Sequence, residues 1–396
     1  MDVAARPVAA INPLVADTGT PPIPEAQAWL TRYRGAFGPA INMSQAVPGH
    51  PPHPDFMARL LEAAGSTEPT RYGPITGDAD LRESYAAHLT ALYGGAISTA
   101  DVAITAGCNM GFVVTLMLVA KSGDNILLPS PWYFNHEMTA KMLGVEARAL
   151  SCDPAAGFVP DADEAERLID ARTKAIVLVT PNNPTGAVYP DRTIQAFADL
   201  CRRRCLWLII DETYRDFLPP SMERAHGLFE CPAWRDHVIQ LYSFSKAYCI
   251  PGYRLGAVLA DATVIGELAK ILDCIQICAP RIGQRAAAWG LDAFADWREE
   301  NRREMHRRAE TFHRTFGQHP EWLVDSVGAY FAYVRHPFDG RSAEHVAEAL
   351  AVERGVLALP GSYFGPGQHT HLRMAFGNLA AERIEILGER LRGFAI

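Results

Sequence analysis

Between about residues 100 and 260, short apolar runs rich in β-branched residues alternate with helix-patterned segments, and no other feature restricts the fold as much. Residues 102–105, 125–129, 174–180, 206–210 and 238–241 read as strands, and 110–120 and 191–204 as helices between them. Parallel strands need crossovers, and the crossover helices cover the faces of the sheet. The pattern therefore dictates an α/β unit built on a mainly parallel central sheet flanked by helices. Ligands in such sheets bind beyond the carboxyl ends of the strands, so the residues just past each run are the candidates for chemistry.

The character changes after about residue 285. A long amphipathic helix is expected from about 292 to 316, with Phe294, Trp297, Met305, Phe312 and Phe316 on its apolar stripe. Strand-like 328–334, a helix near 343–354, a strand at 355–359 and a final helix after 378 make a smaller α+β domain. The expected division is an N-terminal arm with part of the small domain at 1–45, a large domain at 46–285 and a small C-terminal domain at 286–396. A length of 396 residues accommodates this layout. The first 40 residues are rich in Pro, Ala and Gly, with a short helix expected over 25–34. Such an arm is expected to pack on a partner surface.

A net charge of −8 argues against nucleic acid or an anionic membrane surface as a partner. The one dense basic run, Arg302, Arg303, Arg307 and Arg308, is interleaved with Glu299, Glu300, Glu304 and Glu310 and reads as a solvated helix face. Eight cysteines complete no zinc pattern, so no metal site is expected and reduced thiols are. No signal-peptide pattern or membrane-length apolar run stands out, and the expected location is the cytoplasm.

The chemistry concentrates at the strand ends. Lys246 follows the run 238–241, with Ser243 and Ser245 beside it and Arg254 shortly after. A desolvated lysine amine condenses with carbonyls, while serine and arginine supply donors for a phosphate. Such a set suits one ligand carrying both an aldehyde and a phosphate. Gly107, Cys108 and Asn109 lie between a strand and a helix, where free N–H groups and the helix dipole favour an anion. No GxGxxG occurs, which counts against a dinucleotide fold. Asp211 ends a buried run and either caps a helix or faces a cation.

In order along nearly the whole chain, these residues resemble the class I/II aminotransferases, the fold-type I enzymes of pyridoxal 5′-phosphate (PLP). The shared elements are Tyr72, the Asn-Pro-Thr-Gly run starting at Asn183, Asp211 with Tyr214, the Ser243–Arg254 lysine signature, and Arg373 within His371–Phe376. The resemblance implies the PLP-transferase fold, with the large domain binding the cofactor and Lys246 joined to it as a Schiff base. It implies that Asp211 keeps the ring nitrogen protonated and that Asn183 and Tyr214 bond the 3′-oxygen. An aromatic after Pro131 stacks on the ring: Tyr133 by spacing, with Trp132 as the alternative. The phosphate falls to Gly107, Cys108, Asn109, Ser243, Ser245, Arg254 and, across a homodimer interface, Tyr72. Arg373 takes the substrate carboxylate, or else serves as a buried ion-pair partner, and Tyr363 or Phe364 lines the side-chain pocket. The sequence departs from the family pattern at Cys249, where a small or aliphatic residue is usual. It departs again at Ala46, where Gly is usual and where backbone amides would face the substrate carboxylate.

The expected activity is transfer of an amino group between an L-amino acid and a 2-oxo acid. A PLP lyase or cyclase on the same fold is the alternative. A sensor domain of a transcription regulator is disfavoured, because no N-terminal helix-turn-helix precedes the fold. The sequence places no arginine for a distal carboxylate, so neutral or aromatic amino acids are preferred over aspartate.

Overall fold

The computed structural model describes residues 9–396; the first eight residues of the expected arm lie outside the described residues. The strands, in chain order, begin with β1 (Ile41–Asn42), β2 (Val102–Thr105), β3 (Asn125–Ser130) and β4 (Glu146–Ser151). β5 (Thr173–Val179), β6 (Trp207–Asp211), β7 (Val238–Ser243) and β8 (Gly256–Leu259) follow. The last five are β9 (Leu323–Gly328), β10 (Phe331–Arg335), β11 (Val356–Leu357), β12 (Leu359–Pro360) and β13 (His371–Ala375).

A seven-stranded sheet in the order β2-β8-β7-β6-β5-β3-β4 forms the centre. It is parallel except for β8, which runs against both neighbours. Its inner strands read as continuous apolar runs because both faces are covered. Ile176, Leu178, Leu208 and Ile210 feed one core, while Ala175, Val177 and Ile209 feed the other. β9, β10, β12 and β13 form a separate antiparallel sheet over a third core. β1 pairs in parallel with β11 and so ties residues 41–42 to the C-terminal part of the chain.

Three expectations need correction. The helix expected over 292–316 is two helices, Arg281–Ala293 and Ala295–Phe316. They part at Phe294, whose buried ring packs against Phe56, Trp289 and Trp297. The first of the pair contributes Ala286, Ala287 and Leu291 to the core of the large sheet. The strand expected over 328–334 is a hairpin, β9 and β10, that turns at Ala329 with φ +45. The run 355–359 serves two sheets, because β11 pairs with β1 and β12 with β13.

The order of β2, β5, β6 and β7 in the sheet brings their carboxyl ends to one rim. Those ends carry the segments holding Gly107, Asn183, Asp211 and Lys246. Among the described residues no helix is long and apolar enough to cross a membrane.

Candidate active site

Lys246 sits in the single helical turn Phe244–Ala247 that follows β7; Ser243 caps this turn by accepting from the Ser245 N–H at 3.3 Å. Its Nζ donates to the Ala46 carbonyl at 2.5 Å and lies 5.9 Å from the centre of the Tyr214 ring. Loss of hydration, followed by the charges of Arg254 and Arg373, lowers its pKa to about 8. At Ala46 a backbone carbonyl thus meets the Lys246 amine.

Asp211 ends β6 with its carboxylate buried. Burial pushes its pKa up, but His136 and Thr213 outweigh burial and hold it below the ordinary value. His136 Nε2 lies 3.4 Å from Oδ2, and the Thr213 N–H donates to Oδ1 at 2.9 Å. The His136 ring is stacked on Phe112 at 4.0 Å, which fixes its orientation. Asp211 thus stays an anion without a full-time cationic side chain beside it.

The anion cup is built on a glycine for a specific reason. Gly107 has φ +88, and a Cβ there would collide with the Arg254 guanidinium. The helix Cys108–Val119 starts at the next residue. Arg254, itself at φ +51, donates through Nη1 to the Pro251 carbonyl at 2.9 Å. Cys108, Asn109, Ser243, Ser245 and Arg254 line one cavity with Lys246 and Asp211. The Cys108 thiol is pushed well up by burial and by Asp211, so it is a neutral wall there.

A second cavity adjoins the first and is lined by Ala46 and Arg373 among others; Tyr133, Asn183, Tyr214 and Lys246 line both. Arg373 is buried on β13 and donates through Nη1 to Asn183 Oδ1 at 3.1 Å and through Nη2 to the Ser44 carbonyl. Among the described residues its Nε has no partner. Burial lowers its pKa to about 10, and its guanidinium lies 4.9 Å from the Phe364 ring centre. Because arginine only donates, the Asn183 carbonyl oxygen must face it, which leaves the Asn183 amide as a donor.

Of the two aromatics considered for ring stacking, Tyr133 lines both cavities. The Trp132 N–H donates to the Phe364 carbonyl, and a Cβ at Gly365 would touch its indole, so Trp132 packs away from the site. Tyr72 is 79% exposed and lines neither cavity of its own chain. Cys249 occupies a left-handed position, φ +57, and its thiol lies 3.3 Å from His50 Nε2. Sequence reasoning missed Thr213, although an aspartate followed two residues later by a threonine is a legible Asx turn. It also missed Glu212, which is fully buried against Tyr93, Gln240, His226 and Arg215. Those partners are scattered in sequence and carry no local signal.

A family model described as aminotransferase class I and II matches residues 39–391. The chain belongs to this family. It is 29% identical to the aromatic aminotransferase ISS1 of Arabidopsis thaliana, over 89% of both chains. It is also 29% identical to an aspartate aminotransferase of Sulfurisphaera tokodaii, over 80% of both. Among solved structures, the aromatic aminotransferase of Pyrococcus horikoshii superposes with a TM-score of 0.84 at 25% identity, covering 89% of this chain and 94% of that one. The aspartate aminotransferase of Thermus thermophilus with maleate gives a TM-score of 0.88 at 22% identity, covering 97% and 99%, and shares the fold.

This aminotransferase is a PLP enzyme that exchanges amino groups between amino acids and 2-oxo acids. The residues present fit that cofactor. Ser245 Oγ is buried with no hydrogen-bond partner among the described residues, beside the Arg254 guanidinium and the start of the Cys108–Val119 helix, which is the donor set a phosphate needs. In the same cavity, a buried anionic Asp211 suits a protonated ring nitrogen.

Proposed function

We propose that the first cavity holds the cofactor and the second the amino acid, with Lys246 at their junction. The observation that carries this reading is that Tyr133, Asn183, Tyr214 and Lys246 line both cavities. When bound, PLP supplies an aldehyde that joins amines and a ring that accepts the electrons left when an α-proton departs. Gly107, Cys108 and Asn109 amides, Ser243, Ser245 and Arg254 hold the phosphate. Asp211 keeps a proton on the ring nitrogen, supported by His136. Tyr133 stacks on the ring, and the Asn183 amide and Tyr214 hydroxyl donate to its 3′-oxygen. Arg373 grips the substrate carboxylate through donors that include its unpartnered Nε. Lys246 holds the cofactor between turnovers. With its pKa near 8, Nζ can take the α-proton and return it during the reaction.

The substrate side chain is uncharged. The second cavity has a volume of about 360 Å³, with Pro22, Ile23, Pro24, Val47 and Phe134 in its wall. Among the described residues its lining holds no cation except Lys246 and Arg373. A distal carboxylate there would be a desolvated anion with no partner of its own. An apolar or aromatic side chain meets no such cost.

The chain works as a homodimer, in which the exposed Tyr72 reaches the partner's cofactor phosphate. The eight cysteines, all free, accord with a reducing cytoplasm.

To test the substrate assignment, holoenzyme is titrated with single amino donors while the cofactor spectrum is followed. Aromatic and neutral donors are expected to change it at lower concentration than aspartate does, and a 2-oxo acid is expected to reverse the change. A spectrum that responds to aspartate first would overturn the assignment. Pyruvate and ammonia released without an acceptor would instead indicate a lyase.

A further inference from the structure

The strand that leads into the phosphate cup, β2, lies at the edge of the large sheet. Unpaired backbone groups on an edge need partners, and proteins commonly cover them with a loop or side chain. Three elements do so here, the first being Arg82, whose Nε donates to the Val102 carbonyl at 2.8 Å. The Ile104 N–H donates to the Thr76 carbonyl at 2.8 Å, from the turn that carries Tyr72. The side-chain amide of Gln276 supplies two further bonds. Its Nε2 donates to the Ile104 carbonyl at 3.3 Å, and its Oε1 accepts from the Ala106 N–H at 3.0 Å. One amide thus stands in for a peptide unit of a missing strand, at the residue immediately before Gly107.

The backbone around Gln276 is held in an unfavourable shape. Gln276 ends the helix Ala262–Ile275, and Ile277 follows with φ +61. A β-branched residue in that region is strained and persists only where its surroundings impose it. The turn also keeps Ile275 and Ile277 outside, at 41% and 43% exposure, while the intervening amide points in. One residue further on, Cys278 Sγ accepts from the Gly73 N–H at 3.4 Å. Gly73 is the neighbour of Tyr72. On its far side, Arg281 Nε pairs with Asp78 at 2.9 Å, and a Cβ on Gly73 would collide with that side chain.

We propose that Gln276 is a positioning residue for the cofactor phosphate in both sites of a dimer. Its amide fixes the cup of its own subunit, and through Cys278 and Gly73 it fixes the Tyr72 turn that reaches the partner's cofactor. The second half rests on the reading that Tyr72 acts across the interface. The consequence is that the cup of one site and the tyrosine of the other move as one body.

The test measures the rate at which cofactor leaves the holoenzyme, followed by absorbance in the presence of a trap. It compares Gln276→Leu, Gln276→Glu, Tyr72→Phe and Gln276→Leu/Tyr72→Phe with the parent, and records the melting temperature of each cofactor-free protein. Gln276→Leu removes two hydrogen bonds of ordinary strength and is expected to speed release about tenfold. Gln276→Glu keeps the acceptor for Ala106 but sets an anionic oxygen against the Ile104 carbonyl beside the phosphate cup, so it is expected to release cofactor at least as fast as Gln276→Leu. It also serves should Gln276→Leu fail to fold. The double variant is expected to release cofactor more slowly than the product of the two single effects, because Gln276 acts partly through Tyr72. Fully multiplicative effects overturn the coupling between sites. Unchanged release with a lowered melting temperature reduces Gln276 to a strand-edge filler and overturns the proposal. Unchanged release in Tyr72→Phe alone sinks the Tyr72 reading, a failure recognisable apart from any effect at Gln276.

Discussion

At the scale of single residues, the site is a set of charges held where their ordinary pKa values do not apply. Lys246 shows this best, because its amine is buried between two guanidinium groups. Its pKa falls from 10.5 to about 8, so the folded chain gives up a proton that the unfolded chain keeps between those values. Its contribution to stability is therefore fully present above pH 10.5 and is lost as pH falls through 8. In cofactor-free protein, the reaction of Lys246 with an amine-selective reagent is expected to show a midpoint near pH 8 when quantified at that peptide. Arg254→Gln removes a like charge and is expected to raise the midpoint; a parent midpoint near 10 would contradict the burial argument. Lys246 and Asp211 could be picked out in the sequence because their residue types and positions relative to apolar runs carry the signal, whereas Arg373 stood out only through its place in the family motif. The carbonyl partners of Lys246 and Arg373, on Ala46 and Ser44, could not be, since every residue has a carbonyl and only tertiary packing selects one.

At the scale of elements, the loop that carries Asn183 is positioned by a contact of backbone on backbone. Gly186 has φ +77, and a Cβ on it would lie 2.5 Å from the Gly328 nitrogen. A Cβ on Gly328 would in turn strike the Gly186 carbonyl. Gly328 ends β9, so the hairpin of the second sheet rests directly on the cofactor loop. Inside the loop, Asn182 Oδ1 accepts from Thr185 Oγ1 at 2.9 Å, and Asn182 Nδ2 donates to Tyr189 Oη at 3.0 Å, so the loop shifts as a unit. Gly328→Ala is expected to lower the urea midpoint by an amount equivalent to about 1–3 kcal/mol, the usual cost of overpacking. It is also expected to raise KM for the amino donor, because Asn183 and Arg373 are bonded across this contact. An unchanged midpoint and KM would show that the hairpin yields freely. The glycine of the Asn-Pro-Thr-Gly run was legible as a motif, but its steric reason was not, since Gly328 is remote in sequence.

At the scale of the whole molecule, Tyr72 separates a chain that is complete alone from one that shares its sites. Hybrid dimers of Lys246→Ala and Tyr72→Phe subunits decide between them. Acting across the interface, each hybrid retains one site with both Lys246 and Tyr72, and that site is expected to bind PLP with parental affinity by equilibrium titration. If Tyr72 served its own subunit, no site in the hybrid would be intact and no such binding would appear. The sequence alone determined the alternation that makes a mostly parallel sheet and the residue types at its carboxyl rim, because burial on two faces and strand-end chemistry are local patterns. Only the tertiary structure decided which strands neighbour one another and where the helix after residue 280 breaks. It also decided which carbonyls meet Lys246 and Arg373, and how Gln276 closes the edge of β2. Those outcomes depend on contacts between residues far apart in the chain, where steric fit and the pairing of buried polar groups select among partners that local sequence leaves equivalent.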